Sequence, residues 1–259
     1  AGIYSGEGDF SEDEFVRVIG EVFYSNGNLK IKIEKIEKER YENIDIFDFI
    51  PSSKRNIEEM VKELYEVIES VNDENLKSLL KKVFTEEFVK DFKMCPAAIY
   101  YHHNYLGGLI EHTLSVVKIC ETISKIYELN RDLLIAGALL HDIGKVREYS
   151  WFPKISVTVE GGFSGHSTLG AHILSKIIPP EFPEDLKIKL YHMILSHHGE
   201  TEYGAVVPPK FKEAYALHLA EYLDAKLKSF SEEEEEIKKE GKGSWEYSKK
   251  LRRYIYRDL

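Results

Sequence analysis

Glutamine is absent from the 259 residues while Lys, Glu, Ile and Tyr are plentiful, a composition that fits a thermophile avoiding labile amides and using surface ion pairs. The two cysteines, Cys95 and Cys120, stand alone, so neither a disulfide framework nor a thiolate zinc site is expected. Both read as small buried apolar residues. No apolar run of about 18 residues occurs and no charged-then-apolar leader opens the chain, so neither a membrane span nor a signal peptide is expected and the cytoplasm is the default location. A formal charge of -10 argues against coating nucleic acid by overall electrostatics, yet it leaves room for a local basic track beside an acidic, metal-neutralised site. No internal repeat is found. A 43% hydrophobic and 12% aromatic content suffices to bury the core of one large or two modest domains.

Ala1 to Asp13 is Gly-rich and acidic and reads as loosely ordered, and the missing initiator Met leaves open a trimmed start. From Phe15 to Lys38 apolar residues alternate around Ser25-Asn26-Gly27-Asn28, which predicts a hairpin with a tight turn. Two strands alone are marginal, so this ribbon should pack on something or join a larger sheet. Pro51-Ser52-Ser53 marks a boundary after which the period changes from two to about 3.6. Asn56 with Glu59 resembles a capping box, and Asp73 can cap a second helix; both apolar stripes read as core. Further helices are predicted at Leu109–Tyr127, Arg131–Ile143, Ser167–Ile178, Asp185–His198 and Phe211–Phe230. Between the second and third of these, Ile155, Val157 and Val159 alternate and Gly161-Gly162 supplies a turn, so a small hairpin should deliver His166. Glu232 to Glu236 reads as a solvated helix start.

The stretch Ala136 to Lys145, AGALLHDIGK, carries an apolar helix into His141 and Asp142, and Gly144 is placed to stop it in a left-handed conformation. Adjacent His and Asp at a buried helix end offer a neutral nitrogen and an anionic oxygen to a divalent cation. All ten histidines fall between His102 and His218. Seven residues in or beside five predicted helices could share one centre: His112, His141, Asp142, His166, His197, His198 and Asp224. They would supply two divalent ions bridged by Asp142, an arrangement suited to phosphoester hydrolysis. A nitrogen and oxygen shell suits Mn, Fe, Co, Ni or Zn, with Mg less at home among imidazoles. Mn is the leading expectation.

The order GGLIEH at Gly107–His112, HDIGK at His141–Lys145, GHSTLGAHIL at Gly165–Leu174, ILSHHGE at Ile194–Glu200 and YLDAKL at Tyr222–Leu227 resembles the HD-domain phosphohydrolases. Within them it is similar to the YhaM type of 3′-5′ exoribonuclease, through YHHNYLGGL, VTVEG and LHLAEYLDAK as well. The resemblance implies a mainly α fold: a partial OB-like β module at 1–50, an HD-domain helical bundle with a small β-hairpin insertion at 51–230, and a charged, aromatic extension at 231–259. It implies His112, His141, Asp142 and Asp224 as the core metal set, with His166, His197 and His198 as ligands of a second ion. Asp142 and Lys145 are implied as catalytic, Lys145 pointing at substrate phosphate, and His102 and His103 match either as substrate contacts or in a satisfied structural role. His192 and His218 match as supporting groups; His172 matches nothing in the pattern. The family's OB domain is about twice as long as Phe15 to Ile50, so only its final strands correspond. The tract GETEYGAVVPP after His198 lacks the Gly-Tyr-Pro element of cyclic-dinucleotide phosphodiesterases.

The leading expectation is removal of nucleotides from the 3′ end of single-stranded RNA by metal-activated water. A nucleotide or short-oligonucleotide phosphohydrolase and a nucleic-acid-binding scaffold with a relic site stay open beside it, as does a homo-oligomer. No membrane partner is expected. In the tail, Trp245 to Arg257 interleaves aromatic and basic residues, either as a single-strand contact or as a C-terminal helix docked by its aromatic side. Lys30, Lys32 and Lys35 on the first hairpin are a weaker basic set, mixed with Glu34 and Glu37.

Overall fold

The structure, a computed structural model, describes residues 10–99, 103–239 and 244–256. His102, Arg257 and most of the Ala1–Asp13 stretch lie outside the described residues. Contacts divide the chain into two compact units: the residues up to Ile50 together with Phe152–Lys154, and the remainder.

In the first unit, strands β1 (Val16–Ser25) and β2 (Asn28–Lys38) pair antiparallel. Asn26 and Gly27 turn the chain at φ 52° and 76°, the positive values a two-residue hairpin needs. Register sets Val18 opposite Ile36, Val22 opposite Ile31 and Tyr24 opposite Leu29, with a bulge between Ile19 and Gly20. Phe15 stacks edge-on against Phe49 at 4.7 Å, and Tyr41 against Phe152 at 5.2 Å. No third strand joins this ribbon among the described residues, so the partial OB-like module expected here is present only as a two-stranded ribbon and is not confirmed as OB-like.

The second unit is helical. α1 (Ile57–Glu69), α2 (Glu74–Val83) and α3 (Glu86–Phe92) start at Asn56, Asp73 and Thr85, whose side chains each accept a backbone N–H of the first turn. α4 (Gly108–Ile126) and α5 (Arg131–Leu140) pack together, and α5 is buried at every position from Leu133 to Leu140. An apolar octet, LLIAGALL, explains that burial: α5 has no polar face to turn to water. Around it lie α6 (Lys145–Glu148), α7 (Val159–Ile177), α8 (Glu184–Ser196) and α9 (Lys212–Lys239).

The structure corrects several local expectations. α5 ends at Leu140 rather than Ile143, and Gly144 is right-handed at φ -67°. Its lack of a side chain serves another purpose, because a Cβ there would collide with the His166 carbonyl and lie 2.5 Å from the Gly170 nitrogen. The inserted hairpin is shorter and earlier than expected: β3 (Tyr149–Ser150) pairs with β4 (Ser156–Val157). Gly161-Gly162 is no turn; Thr158 caps α7 by accepting from Gly161 N at 2.9 Å, and the helix breaks instead at Gly165, φ 67°. Glu232 to Glu236 do not open a helix but continue α9, which runs unbroken past residue 230. The tail is a third ribbon, β5 (Trp245–Ser248) with β6 (Arg253–Tyr256), not a helix.

The approach at Gly144 fixes how α7 presents His166. We expect Gly144→Ala to destabilise the fold by about 3 kcal/mol in urea unfolding, and Gly170→Ala, whose Cβ would meet Ile194 Cγ2 at 3.3 Å, to cost about 1 kcal/mol. Equal costs at the two positions would refute the close-approach account.

Candidate metal centre

Asp142 stands at the end of the buried helix α5 and is 1% exposed. Its two oxygens face different imidazoles. Oδ2 lies 3.3 Å from His141 Nε2 and 3.6 Å from His112 Nε2, and those two nitrogens are 3.4 Å apart. Oδ1 lies 3.5 Å from both His166 Nε2 and His197 Nε2, while His166 Nε2 and His198 Nε2 are 2.9 Å apart. Lys145 Nζ, one turn on, sits 2.6 Å from Oδ2.

The far nitrogens of these rings are occupied. His141 Nδ1 donates to the Ala138 carbonyl at 2.8 Å, and His197 Nδ1 to the Ile194 carbonyl at 2.6 Å. Each uses a backbone acceptor three residues earlier in its own helix. His112 Nδ1 donates to Asp224 Oδ2 at 2.6 Å and His166 Nδ1 to Glu148 Oε2 at 2.8 Å. A neutral imidazole that donates through Nδ1 presents a lone pair at Nε2, so four rings turn acceptor nitrogens toward Asp142.

Such a set suits cations better than it suits itself. Asp142 Oδ1 and His197 Nε2 are fully buried without a hydrogen-bond partner, a costly state for ionised or polar atoms. Donors bound at about 2.1 Å around a tetrahedral ion sit about 3.4 Å from one another, which matches the 3.3–3.6 Å spacing around Asp142. His112, His141 and Asp142 could hold one ion, and His166, His197 and His198 a second. Two kinds of donor, imidazole and carboxylate, fit first-row divalent metals.

Electrostatics point the same way. Burial alone would raise the Asp142 carboxyl, but Lys145, His141 and His197 hold it well below the usual carboxylate range. Burial pushes His112 and His197 down to about 4 and lowers His198 further, with His197 and His166 adding repulsion. These rings are therefore neutral at pH 7, the state in which an imidazole can ligate a cation. His141 is the exception: burial, the largest single effect, lowers it, but the Asp142 charge, a hydrogen bond with Asp142 and the Ala138 carbonyl together raise it.

Residues 109–226 match the HD domain family. The 3′-5′ exoribonuclease YhaM of Bacillus subtilis is 33% identical over 237 residues, covering 90% of this chain and 75% of that relative. YhaM of Bacillus velezensis is 34% identical over 229 residues, covering 85% and 71%. The chain belongs to the YhaM family of HD-domain hydrolases. A crystal structure of the L. monocytogenes phosphodiesterase PgpH HD domain aligns at 19% identity and TM-score 0.38, covering 60% of this chain and 82% of that one, too distant to carry weight.

In this YhaM-family chain six of the seven expected ligands converge, Asp142 at their centre, whereas Asp224, expected in the core metal set, stands behind His112 at that ring's Nδ1. Its Oδ2 is shared between His112 Nδ1 and His103 Nε2, the latter at 3.1 Å. His103, expected against substrate, is 1% exposed and its Nδ1 lies 2.8 Å from the Tyr105 hydroxyl. Its φ of 56° is unusual for a residue with a side chain, and its carbonyl oxygen occupies the space a Cβ on Gly108 would need. His192 accepts from Lys210 N and His218 donates to the His197 carbonyl, both supporting contacts. His172 is exposed on α7 and lies outside the cluster.

Two groups escaped the sequence reading. Glu148 orients His166, and its carboxyl, which burial would raise, is held low by that ring. Glu221 is raised to about 7, by burial first and by the Asp142 charge second. It sits one helical turn before Asp224, a spacing that could have flagged it. We expect Glu148→Gln to weaken Mn²⁺ binding by about tenfold to a hundredfold in calorimetric titration while leaving metal-free thermal unfolding within about 2 °C. Unchanged affinity would remove Glu148 from the centre.

Proposed function

We propose that this chain is a metal-dependent 3′-5′ exoribonuclease acting on single-stranded RNA. The observation that carries the reading is the buried carboxylate of Asp142, with one oxygen turned to His112 and His141 and the other to His166 and His197. The names of its YhaM relatives supply the substrate and direction. Two divalent ions, Mn²⁺ first among them, would be held by His112, His141 and Asp142 and by Asp142, His166, His197 and His198; when bound they lower the pKa of a water and neutralise phosphoryl charge.

The protein's own groups account for the rest. Asp224 fixes the ring of His112, His103 fixes Asp224, and Glu148 fixes His166, so the Nε2 atoms are pre-aimed. Lys145 places an ammonium beside Asp142, where it can meet a phosphate oxygen as a point charge. Glu221 can hold or release a proton near neutrality.

The test is a 5′-labelled single-stranded RNA with Mn²⁺: we expect stepwise shortening of the labelled strand, lost by at least about a thousandfold in Asp142→Asn. Activity confined to mono- and dinucleotides would overturn the exonuclease assignment. A second expectation concerns pH. Glu221 is raised to about 7 by burial and by repulsion from Asp142, so cation loading at pH 7 should lower it and release a proton. Calorimetry in buffers of different ionisation enthalpy should show that release in the wild type and less of it in Glu221→Gln.

A further inference from the structure

β5 and β6 form a ribbon with two unlike faces. Ser248 and Ile255 are buried at 1% and 3%, so the inner face is packed. The outer face is made of four rings. Register sets Trp245 opposite Tyr256 and Tyr247 opposite Tyr254, and the paired centroids are 5.1 and 5.3 Å apart. All four are at least half exposed, Trp245 at 65% and Tyr254 at 69%. Burying none of these rings forgoes a large hydrophobic gain, so the outward face is built for something other than the fold.

The charge beside it is local and positive. Between Trp245 and Tyr256 the chain carries Lys249, Lys250, Arg252 and Arg253 against one acid, Glu246, in a protein of net charge -10. A cavity of about 310 Å³ lies between this ribbon and α9, bounded by Phe230, Lys226, Lys250, Arg252 and Arg253 with no carboxylate among its described lining residues. Lys250 is tied to Glu232 at 3.3 Å, and Arg253 lies over the Phe230 ring at 5.8 Å. α9 connects the two places: Asp224 at the metal centre and Phe230 at the cavity are six residues apart, about 9 Å along the helix.

We propose that this ribbon and cavity bind the single-stranded RNA upstream of the 3′ end that enters the metal centre. The inference rests on the exoribonuclease reading for the identity of the strand. Bases stack on aromatic faces regardless of sequence, and phosphates pair with the flanking cations. A duplex, whose bases are already stacked on one another, cannot use the rings. Trp245 and Tyr247 with their cross-strand partners present two stacking stations, and the lysine and arginine side chains at the turn line the backbone's path.

The experiment uses the full chain with Trp151→Phe, which leaves Trp245 as the single tryptophan, in EDTA so that nothing is cleaved. Titration with a 12-mer of oligouridylate should quench Trp245 emission saturably, and duplex RNA should not. Tyr247→Ala with Tyr254→Ala should weaken binding by about tenfold or more, whereas the Phe replacements, which keep the rings, should retain it. Lys249→Ala with Arg252→Ala should reduce the slope of log affinity against log salt by about 1.4. No quenching, equal binding of duplex, or alanine variants that bind as the wild type would overturn the proposal and leave the face to some other partner. Because the readout needs no hydrolysis, the two readings fail separately. Binding on the ribbon without RNA shortening sinks the activity alone, and shortening with unaltered binding in the alanine variants sinks this inference alone.

Discussion

An ionised carboxylate with almost no solvent exposure is the constraint around which this protein is built. Taking such a group out of water costs several kcal/mol unless charge and hydrogen bonds replace the water. At Asp142 the replacement is incomplete within the chain. Lys145 supplies one full charge at 2.6 Å, and the imidazoles around it are mostly neutral. Oδ1 is left without a hydrogen bond. The arrangement is therefore stable in proportion to the positive charge brought to it, and that is the property a cation site needs.

Delivering the imidazoles to one point requires four helices, α4, α5, α7 and α8, whose ends or faces meet. Where a ring lies at or just past a helix end, the helix itself supports it: His141 and His197 both donate to a carbonyl three residues back, an acceptor that the helix C-terminus leaves unused. Where the ring lies inside a helix, the carbonyls are already engaged, and support comes from a distant carboxylate instead. His112 is in the first turns of α4 and takes Asp224; His166 is in α7 and takes Glu148. One physical requirement, a fixed Nδ1–H, thus has two solutions set by position along the helix.

The two imidazole groups differ in depth. His112 and His141 are 0% exposed, whereas the side chain of His166 retains 15%. His166 therefore lies on the more exposed side of the cluster, although His197 beside it is 1% exposed. Glu148, on the same side, then has two effects. It orients His166 and adds negative charge that repels anions until cations neutralise it. In the proposed reading, metal loading and acceptance of an anionic strand would be linked through that charge.

How much of this was legible in the sequence follows from what kind of physics set each feature. His141 and Asp142 could be read because an apolar octet that runs straight into two ligating residues forces those polar atoms toward the core, and the helix carrying them was visible from its stripe. Gly144 was legible as a special position but for the wrong reason. A left-handed stop is a local property, while the true constraint is the backbone of α7, remote in sequence and invisible to local rules. The Gly161-Gly162 turn failed for a related cause: Thr158 capping and the nearby Glu148 backbone make Gly161 a close-approach position inside a helix. Glu148 and His103 act through other residues, Glu148 on His166 and His103 on Asp224, so the sequence marks His103 only as a family match and Glu148 not at all. Their roles exist only once α4, α6, α7 and α9 have met. Local chemistry can therefore nominate the atoms that bind, but the atoms that aim them are chosen by the fold, and a buried pair of unsatisfied polar atoms is where the two kinds of information join.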